Sequence, residues 1–454
     1  MKPTLFGSSG IRGLVNDEIT SKLSQRVGQA LASVNEGGCI VVGRDVRLTG
    51  PVLENALLSG LSSGGADSLA LGVVPTPVAA WMTRFSGSDA GVQISASHNP
   101  PQYNGLKLFN SVGVSLTREE QIKIEETIEK EDQISVHWDC VGTVEQLDAI
   151  QPYVDEALGL LETSSDLRVA CDLFNGATTV LAPMAFRELG IAAEFINAVG
   201  DGRFPSGNPE PDDATLSRLG KFVKVRELDI GFGFDGDGDR MMPLNSDGQV
   251  VSPDRVLAAY AGYAVEKVGG GVVVTHVGAS MSIDDVVHAA GGSIIRTPVG
   301  DSFITEAIVK HEAVFGGEPV GAWVMPEVHL CPDGVLAALK LLEALDDTDS
   351  TLDEFVAAVP EFPIRRGKIE CLNRLKPIVM RRIQENYDTV IKNVTDVTLV
   401  DGIRFELENG WILVRPSGTE PIIRITVEGR RDKDVDELME TGKTLVRKAL
   451  VKES

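Results

Sequence analysis

Short apolar runs alternate along the chain with longer stretches whose apolar residues recur at helical spacing. That alternation predicts βαβ units with parallel sheets. Residues 39–43 form a buried-strand run ending at Arg44-Asp45, residues 51–64 read as helix, and 68–74 as a strand before Pro75-Thr76-Pro77. A strand over 92–95 leads into a polar turn. The pattern restarts at 169–172, with a helix expected from about 178 to 189 and Gly190 as its stop. A strand follows over 228–234, a helix over 253–267, and a third restart at 272–275. Three related α/β domains are the expectation, because the interval is far too long for a solenoid. The last stretch differs. Asp401-Gly402 and Asn409-Gly410 are two-residue turn signals between β-rich runs, and a final helix is expected over about 434–450. This predicts a smaller α+β domain. The expected boundaries give domains of 1–150, 151–252, 253–365 and 366–454.

A length of 454 residues and an apolar content of 43% suit three or four domains with ordinary cores. The net charge of −24 argues against a nucleic-acid partner, which needs clustered Lys and Arg to displace counterions. A small anion remains compatible, since a few aimed cations outweigh net charge at contact distance. The chain has no apolar run of 18 residues, so no membrane partner is expected. Residues 1–14 lack an apolar secretion core, and the five cysteines are scattered without a CxxC pair. Both point to the cytoplasm.

Five segments carry candidate chemistry. In Phe234-Asp235-Gly236-Asp237-Gly238-Asp239-Arg240, three carboxylates alternate with glycines directly after a strand. Carboxylates clustered this tightly repel unless a cation lies between them, and an all-oxygen set suits Mg²⁺. An EF-hand fails, because Arg240 and Ser246 stand where Gly and Glu are required. A dinucleotide fold would want a helix there rather than three acids and Pro243. An aspartyl-nucleophile phosphatase using Asp235 stays open as a rival. Ser95-Ala96-Ser97-His98-Asn99-Pro100 ends a parallel strand, where ligand chemistry is well placed. His98, Lys107 and a cation can supply its charge and proton handling.

In Arg415-Pro416-Ser417-Gly418-Thr419-Glu420-Pro421, backbone N–H groups and hydroxyls can cradle an anion, with Arg415 and Arg424 forking onto phosphate. Glu318, in the Gly-rich run 316–322, can accept from two sugar hydroxyls. A Gly/Ser turn over 6–13 presents Arg12. His329 and Cys331 lack the further ligands zinc needs, and Gly442-Lys443-Thr444 lacks the first glycine of an ATP loop.

In this order, across essentially the whole chain, the segments resemble the α-D-phosphohexomutase superfamily. The continuation Asn99 to Asn110 and the loop Gly316 to Trp323 are most similar to archaeal members labelled phosphoglucosamine mutase or phosphomannomutase. The resemblance implies an α/β fold of three similar mixed or parallel-sheet domains plus a smaller C-terminal α+β domain, heart-shaped around one cleft. It implies a phosphorylated Ser97 and one Mg²⁺ per chain held by Asp235, Asp237, Asp239 and a Ser97 phosphate oxygen. Arg12, His98, Lys107 and Arg240 are implied as basic active-site residues. Glu318, with Gly300 and Asp301 of the run 297–301, is implied to read the sugar. Arg415, Ser417, Gly418, Thr419 and Arg424 are implied to hold the idle phosphate. The partners implied are small sugar phosphates, with a sugar bisphosphate as intermediate and activator; a homodimer is compatible. Two positions depart from common members: Val320 and Ala322 stand where Ser and His are frequent. The expected reaction is glucosamine 6-phosphate to glucosamine 1-phosphate, with mannose or glucose phosphates as alternatives. A non-catalytic sugar-phosphate sensor is the reading from another class.

Overall fold

Strands covered on both faces show no polar side to solvent, so runs such as Val169–Asp172 and Ile230–Phe234 are buried throughout. The computed structural model describes residues 5–7, 10–129, 135–161, 165–417 and 420–451. Four sheets follow one another along the chain. The first holds β1 (Ile11–Leu14), β2 (Cys39–Arg44), β3 (Asp67–Val73), β4 (Ala90–Ile94), β5 (Tyr103–Asn110) and β6 (Val144–Gln146), in the order β1-β5-β4-β2-β3-β6. Its β2, β3, β4 and β6 run parallel, while β5 is antiparallel to both β4 and β1.

The second sheet contains β7 (Val169–Asp172), β8 (Ala193–Ile196), β9 (Ile230–Phe234) and β10 (Met241–Leu244), ordered β10-β9-β7-β8. The third contains β11 (Gly271–His276), β12 (Gly292–Thr297), β13 (Phe315–Gly317) and β14 (Trp323–Val324), ordered β12-β11-β13-β14. Both repeat one plan, a parallel group closed by an antiparallel edge strand. The fourth is wholly antiparallel: β15 (Ile364–Glu370), β16 (Val394–Thr398), β17 (Ile403–Leu407), β18 (Gly410–Pro416) and β19 (Ile422–Gly429). Helices Lys376–Asn386 and Asp432–Leu450 cover it. The second of these buries Val435, Leu438, Met439, Leu445 and Val446, a spacing of one helix face. The α/β reading with a different last unit therefore agrees with the structure.

The helix expected over 178–189 is broken. A 3₁₀ turn spans Ala177–Val180 and the α-helix is Ala182–Glu188. Pro183 has no N–H to bond back into a preceding turn, so it is accommodated only at a helix start. One apolar core runs from Val41 to Val359 and joins the first three units. The fourth keeps a core of its own, between Cys371 and Ala449. A polar knot connects it to the third unit. Buried Arg404 donates through Nη1 to the carbonyls of Val277 and Ala279, and its guanidinium lies 4.0 Å from the Trp411 ring centroid. Glu428 accepts from the Ser280 hydroxyl, the Met281 N–H and the Trp411 indole. Among the described residues no helix is long and apolar enough to cross a membrane.

Candidate active site

Three of the four signature loops leave the C-terminal end of a parallel strand and turn straight back into a neighbouring antiparallel strand of the same sheet. The Ser97 loop joins β4 to β5, the aspartate loop joins β9 to β10, and the Glu318 loop joins β13 to β14. Strand pairing on both sides fixes each loop at its two ends. The fourth loop joins β18 to β19; of its residues, Gly418 and Thr419 lie outside the described set.

Ser97 is fully buried, and its backbone is left-handed, with φ of +51°. That region costs a non-glycine residue about 1–3 kcal/mol, so the surroundings must hold it there. Its N–H donates to Ser95 Oγ at 2.8 Å, and Ser95 in turn donates to Asp45 at 2.7 Å. The Ser97 hydroxyl donates to Asp235 Oδ2 at 2.6 Å and lies 3.1 Å from His98 Nδ1. Burial, followed by the charges of Arg240 and Arg12, pulls His98 down to about 4. The imidazole is thus neutral near pH 7.

In the aspartate loop, the ligand oxygens of Asp235, Asp237 and Asp239 lie within 4.8 Å of one another. Each residue is buried. The loop is pinned from three sides. Thr76, opening helix Thr76–Phe85, donates its N–H to the Asp237 carbonyl and its hydroxyl to Asp237 Oδ2, at 2.9 and 2.6 Å. Gly334, opening helix Gly334–Asp347, donates to the Gly238 carbonyl at 2.9 Å. Gly236 packs so closely that a Cβ there would fall 2.6 Å from the Ser97 carbonyl oxygen. Only glycine lets the two loops touch in this way.

Lys107, from β5, reaches Asp237 Oδ2 at 2.7 Å and Asp239 Oδ2 at 2.6 Å. Burial would lower its ammonium, but the two carboxylates outweigh that and raise it above the ordinary range. Burial likewise acts to raise Asp237, yet Lys107 and Thr76 leave it below the usual carboxylate range. Asp235 goes the other way: burial, then Asp239 and Asp237, push it well up. Two buried oxygens, Asp237 Oδ1 and Asp239 Oδ1, have no hydrogen-bond partner. Buried carboxylate oxygens without donors are costly unless a ligand satisfies them. The donor set is all oxygen, compact and flanked by a phosphorylatable hydroxyl, so it fits a hard divalent cation. Arg12, on β1, also keeps a buried, unpartnered Nε and is close enough to act on Asp237, His98 and Lys107. Arg240 lies against Asp239 at 3.7 Å.

The Glu318 loop joins this cluster through charge and backbone. Glu318 is buried and accepts from the Gly300 N–H at 3.0 Å. Burial, then the neighbouring Asp301, raise it to about 7, while Arg240 opposes them. Gly321 has φ of +82°, and a Cβ there would lie 1.8 Å from the Met241 carbonyl oxygen. The glycine thereby seats the Glu318 loop on β10, beside the aspartates. Val320 is exposed and Ala322 buried, so neither supplies a polar contact.

The structure brings together Ser97, His98, Arg12, Lys107, the three aspartates, Arg240, Glu318, Gly300 and Asp301. It does not bring Arg415 and Arg424 into hydrogen bonds or ion pairs with them. These two face each other across β18 and β19, and each pairs within its own unit, Arg415 with Asp401 and Arg424 with Glu420, both at 2.8 Å. Ser417 accepts from the Glu420 N–H through its hydroxyl. His329 is committed to Tyr153 and Asp333 by buried hydrogen bonds, which accounts for its position without zinc. Sequence reasoning missed Thr76, Asp45 and Arg47. The available signal was Asp-x-Arg directly after the buried run of β2.

Known proteins with this arrangement share a reaction type. Residues 3–135, 151–248 and 252–362 match the families described as phosphoglucomutase/phosphomannomutase alpha/beta/alpha domains I, II and III, and 378–441 match the C-terminal domain. A phosphoglucosamine mutase from Methanocaldococcus jannaschii is 42% identical over 451 residues, covering 98% of this chain and 99% of that one. A probable phosphoglucosamine mutase from Methanopyrus kandleri is 40% identical, covering 98% of each. The crystal structure of a phosphoglucomutase/phosphomannomutase family protein from Burkholderia thailandensis has a TM-score of 0.89 at 26% identity, covering 98% of this chain and 97% of that one. The chain belongs to the phosphoglucomutase/phosphomannomutase family and is a phosphohexomutase, an isomerase.

Proposed function

We propose that the chain interconverts glucosamine 6-phosphate and glucosamine 1-phosphate in the cytoplasm, with Ser97 as phosphate carrier. The observation that carries this reading is the 2.6 Å contact between the Ser97 hydroxyl and an aspartate of the acidic cluster. The choice of sugar is supported by relatives at 40% identity or more that are named phosphoglucosamine mutase or probable phosphoglucosamine mutase. We assign one loop to each of the four units 1–150, 151–252, 253–365 and 366–454. They carry, in turn, the serine, the cation ligands, the sugar reader and the phosphate grip.

In the forward step the P–O bond to Ser97 Oγ breaks as a bond forms from phosphorus to the free hydroxyl of the sugar phosphate. The hydroxyl proton passes to the departing Oγ by way of a neutral base, and His98 stands within reach of that oxygen. The bisphosphate turns and returns its other phosphate to Ser97. A Mg²⁺ ion held by Asp235, Asp237 and Asp239 supplies charge neutralisation for the transferring group. Lys107, Arg12 and Arg240 add fixed positive charge around it. Glu318, with Gly300 and Asp301 beside it, orients the ring. Arg415, Ser417, Gly418, Thr419 and Arg424 grip the idle phosphate.

Asp235 as a phosphatase nucleophile is less favoured. Its two oxygens already accept from Ser97 and from the Arg240 N–H. Phosphopeptide mapping after incubation with a hexose 1,6-bisphosphate tests the reading: stable label at Ser97 supports it, and acid-stable label absent from that peptide removes it. Ser97→Ala is expected to lower turnover on the order of a thousandfold or more. A panel of glucosamine, glucose and mannose 6-phosphates then settles the sugar by kcat/KM.

A further inference from the structure

Arg47 is fully buried and spends all five guanidinium N–H donors. Its Nε donates to Asp45 Oδ2 at 3.0 Å. Nη1 donates to the carbonyls of Pro100 and Tyr103 at 2.7 and 3.0 Å. Nη2 donates to the carbonyls of Ser97 and Asn99 at 2.8 and 2.6 Å. Three of the five bonds thus fall on the turn between β4 and β5, and a fourth on Tyr103, the first residue of β5. The carboxylate of Asp45 completes the frame, accepting from the Arg47 N–H at 2.9 Å and from Ser95 Oγ at 2.7 Å. Both backbone polar groups of Ser97 therefore trace to one ion pair: its carbonyl to Arg47 directly, its N–H to Asp45 through Ser95.

The same pair connects to the aspartate loop. Phe204 of the second unit lies over the Arg47 guanidinium, 5.0 Å from ring centroid to Cζ. Farther along that segment, the Pro209 carbonyl accepts from the Gly236 N–H at 3.2 Å. The Ser97 carbonyl that Arg47 holds is the one against which Gly236 packs.

We propose that Arg47, braced by Asp45 and Phe204, is a positioning residue for phosphoryl transfer: it keeps Ser97 in its left-handed conformation with Oγ aimed at the aspartate loop. This rests on Ser97 being the phosphate carrier. A planar fork is required for the task. Lysine has three donors on one atom and cannot gather four carbonyls spread over seven residues. Displacing a reacting atom by about 1 Å costs on the order of a hundredfold in rate. Among the described residues, the Arg47 guanidinium spends its hydrogen bonds on Asp45 and on residues 97–103 rather than on the Glu318 or Arg415 loop.

The test uses the full chain as wild type, Arg47→Lys and Phe204→Leu. Each is loaded with glucose 1,6-bisphosphate and a magnesium salt, and the phosphorylated fraction at Ser97 is read by peptide mass. Single-turnover transfer to glucosamine 6-phosphate is then expressed per loaded chain, so that poorly folded protein does not enter the rate. For Arg47→Lys a fall of about ten- to a hundredfold is expected, with KM within about threefold. Folded Arg47→Lys that cannot load at all is the same result in stronger form, since loading is itself a transfer. A per-site rate within about threefold of wild type overturns the proposal. If Arg47→Lys does not fold, Phe204→Leu decides: a fall of about three- to tenfold at unchanged KM supports the proposal, and a rate equal to wild type overturns it. Wild type that never carries phosphate on Ser97 defeats the carrier reading instead.

Discussion

The serine and aspartate loops differ from the phosphate loop of the fourth unit in how completely they are held. Ser97 and Asp235 are fully buried, and both Ser97 backbone groups and its hydroxyl have partners. The Arg415 and Arg424 side chains are 35% and 52% exposed, each bonded to one acid of its own unit. The difference matches what the proposed function asks of each region. Reacting groups gain from donors and charges fixed before the reaction begins. A grip that takes either end of a turning substrate gains from cations whose resting partners are weak, since exposed ion pairs contribute about 0–1 kcal/mol and are given up cheaply.

The largest test of that contrast lies in the held region. Asp237→Asn removes the anion shared by Lys107 and Thr76. Turnover is expected to drop about a hundred- to a thousandfold, and unfolding free energy to fall by about 3 kcal/mol, as breaking a buried pair does. Steady-state kinetics and denaturant melts measure both, and a variant retaining a tenth of wild-type turnover would break the contrast.

Arg415→Ala should behave oppositely. KM is expected to rise about ten- to a hundredfold while stability changes by less than about 0.5 kcal/mol. A large shift in the melting curve would show that the loop is a structural strut after all.

The smallest effect concerns Glu318, which sits between the two regimes, buried but raised to about 7. Below that pH its carboxyl is protonated and has lost acceptor capacity; above it the group is charged. Hence kcat/KM should climb with pH through about 7, by up to about tenfold per unit. The substrate phosphate titrates in every variant, so comparison with Glu318→Gln isolates this group. The inflection is expected to vanish there, and its persistence would assign it elsewhere. The sign for stability is opposite. A carboxyl raised above its unfolded value binds more protons when folded, so folding is favoured at low pH and weakens between about 4.5 and 7.

Much of the scaffold was legible because periodicity reports burial directly. The fully buried β7 and β9 and the turn signals at Asp401-Gly402 and Asn409-Gly410 became strands and hairpins. The aspartate cluster was legible for an electrostatic reason, since three carboxylates within five residues repel one another unless a cation offsets them. Of Arg47 only the Asp-x-Arg spacing after β2 was legible; its partners were not, because an arginine after a strand looks like an ordinary surface charge. Its use of four carbonyls over residues 97–103 exists only once β2 and β4 lie side by side. Thr76 was hidden likewise, because its partner is 161 residues away. The break at Pro183 was legible in principle, but the apolar run around it masked the stop.

The fourth unit keeps a core apart from the continuous one beneath the other three. That division makes two cooperative blocks within one polypeptide, joined through the Arg404–Trp411–Glu428 knot and a small apolar cluster of Val277, Met281, Trp411 and Leu413. Heat or denaturant can therefore retire the two halves of the task at different moments. Under the proposed function, a molecule in that intermediate condition would keep Ser97 and the acidic cluster together, yet would have lost the arginines assigned to retaining a sugar while it turns.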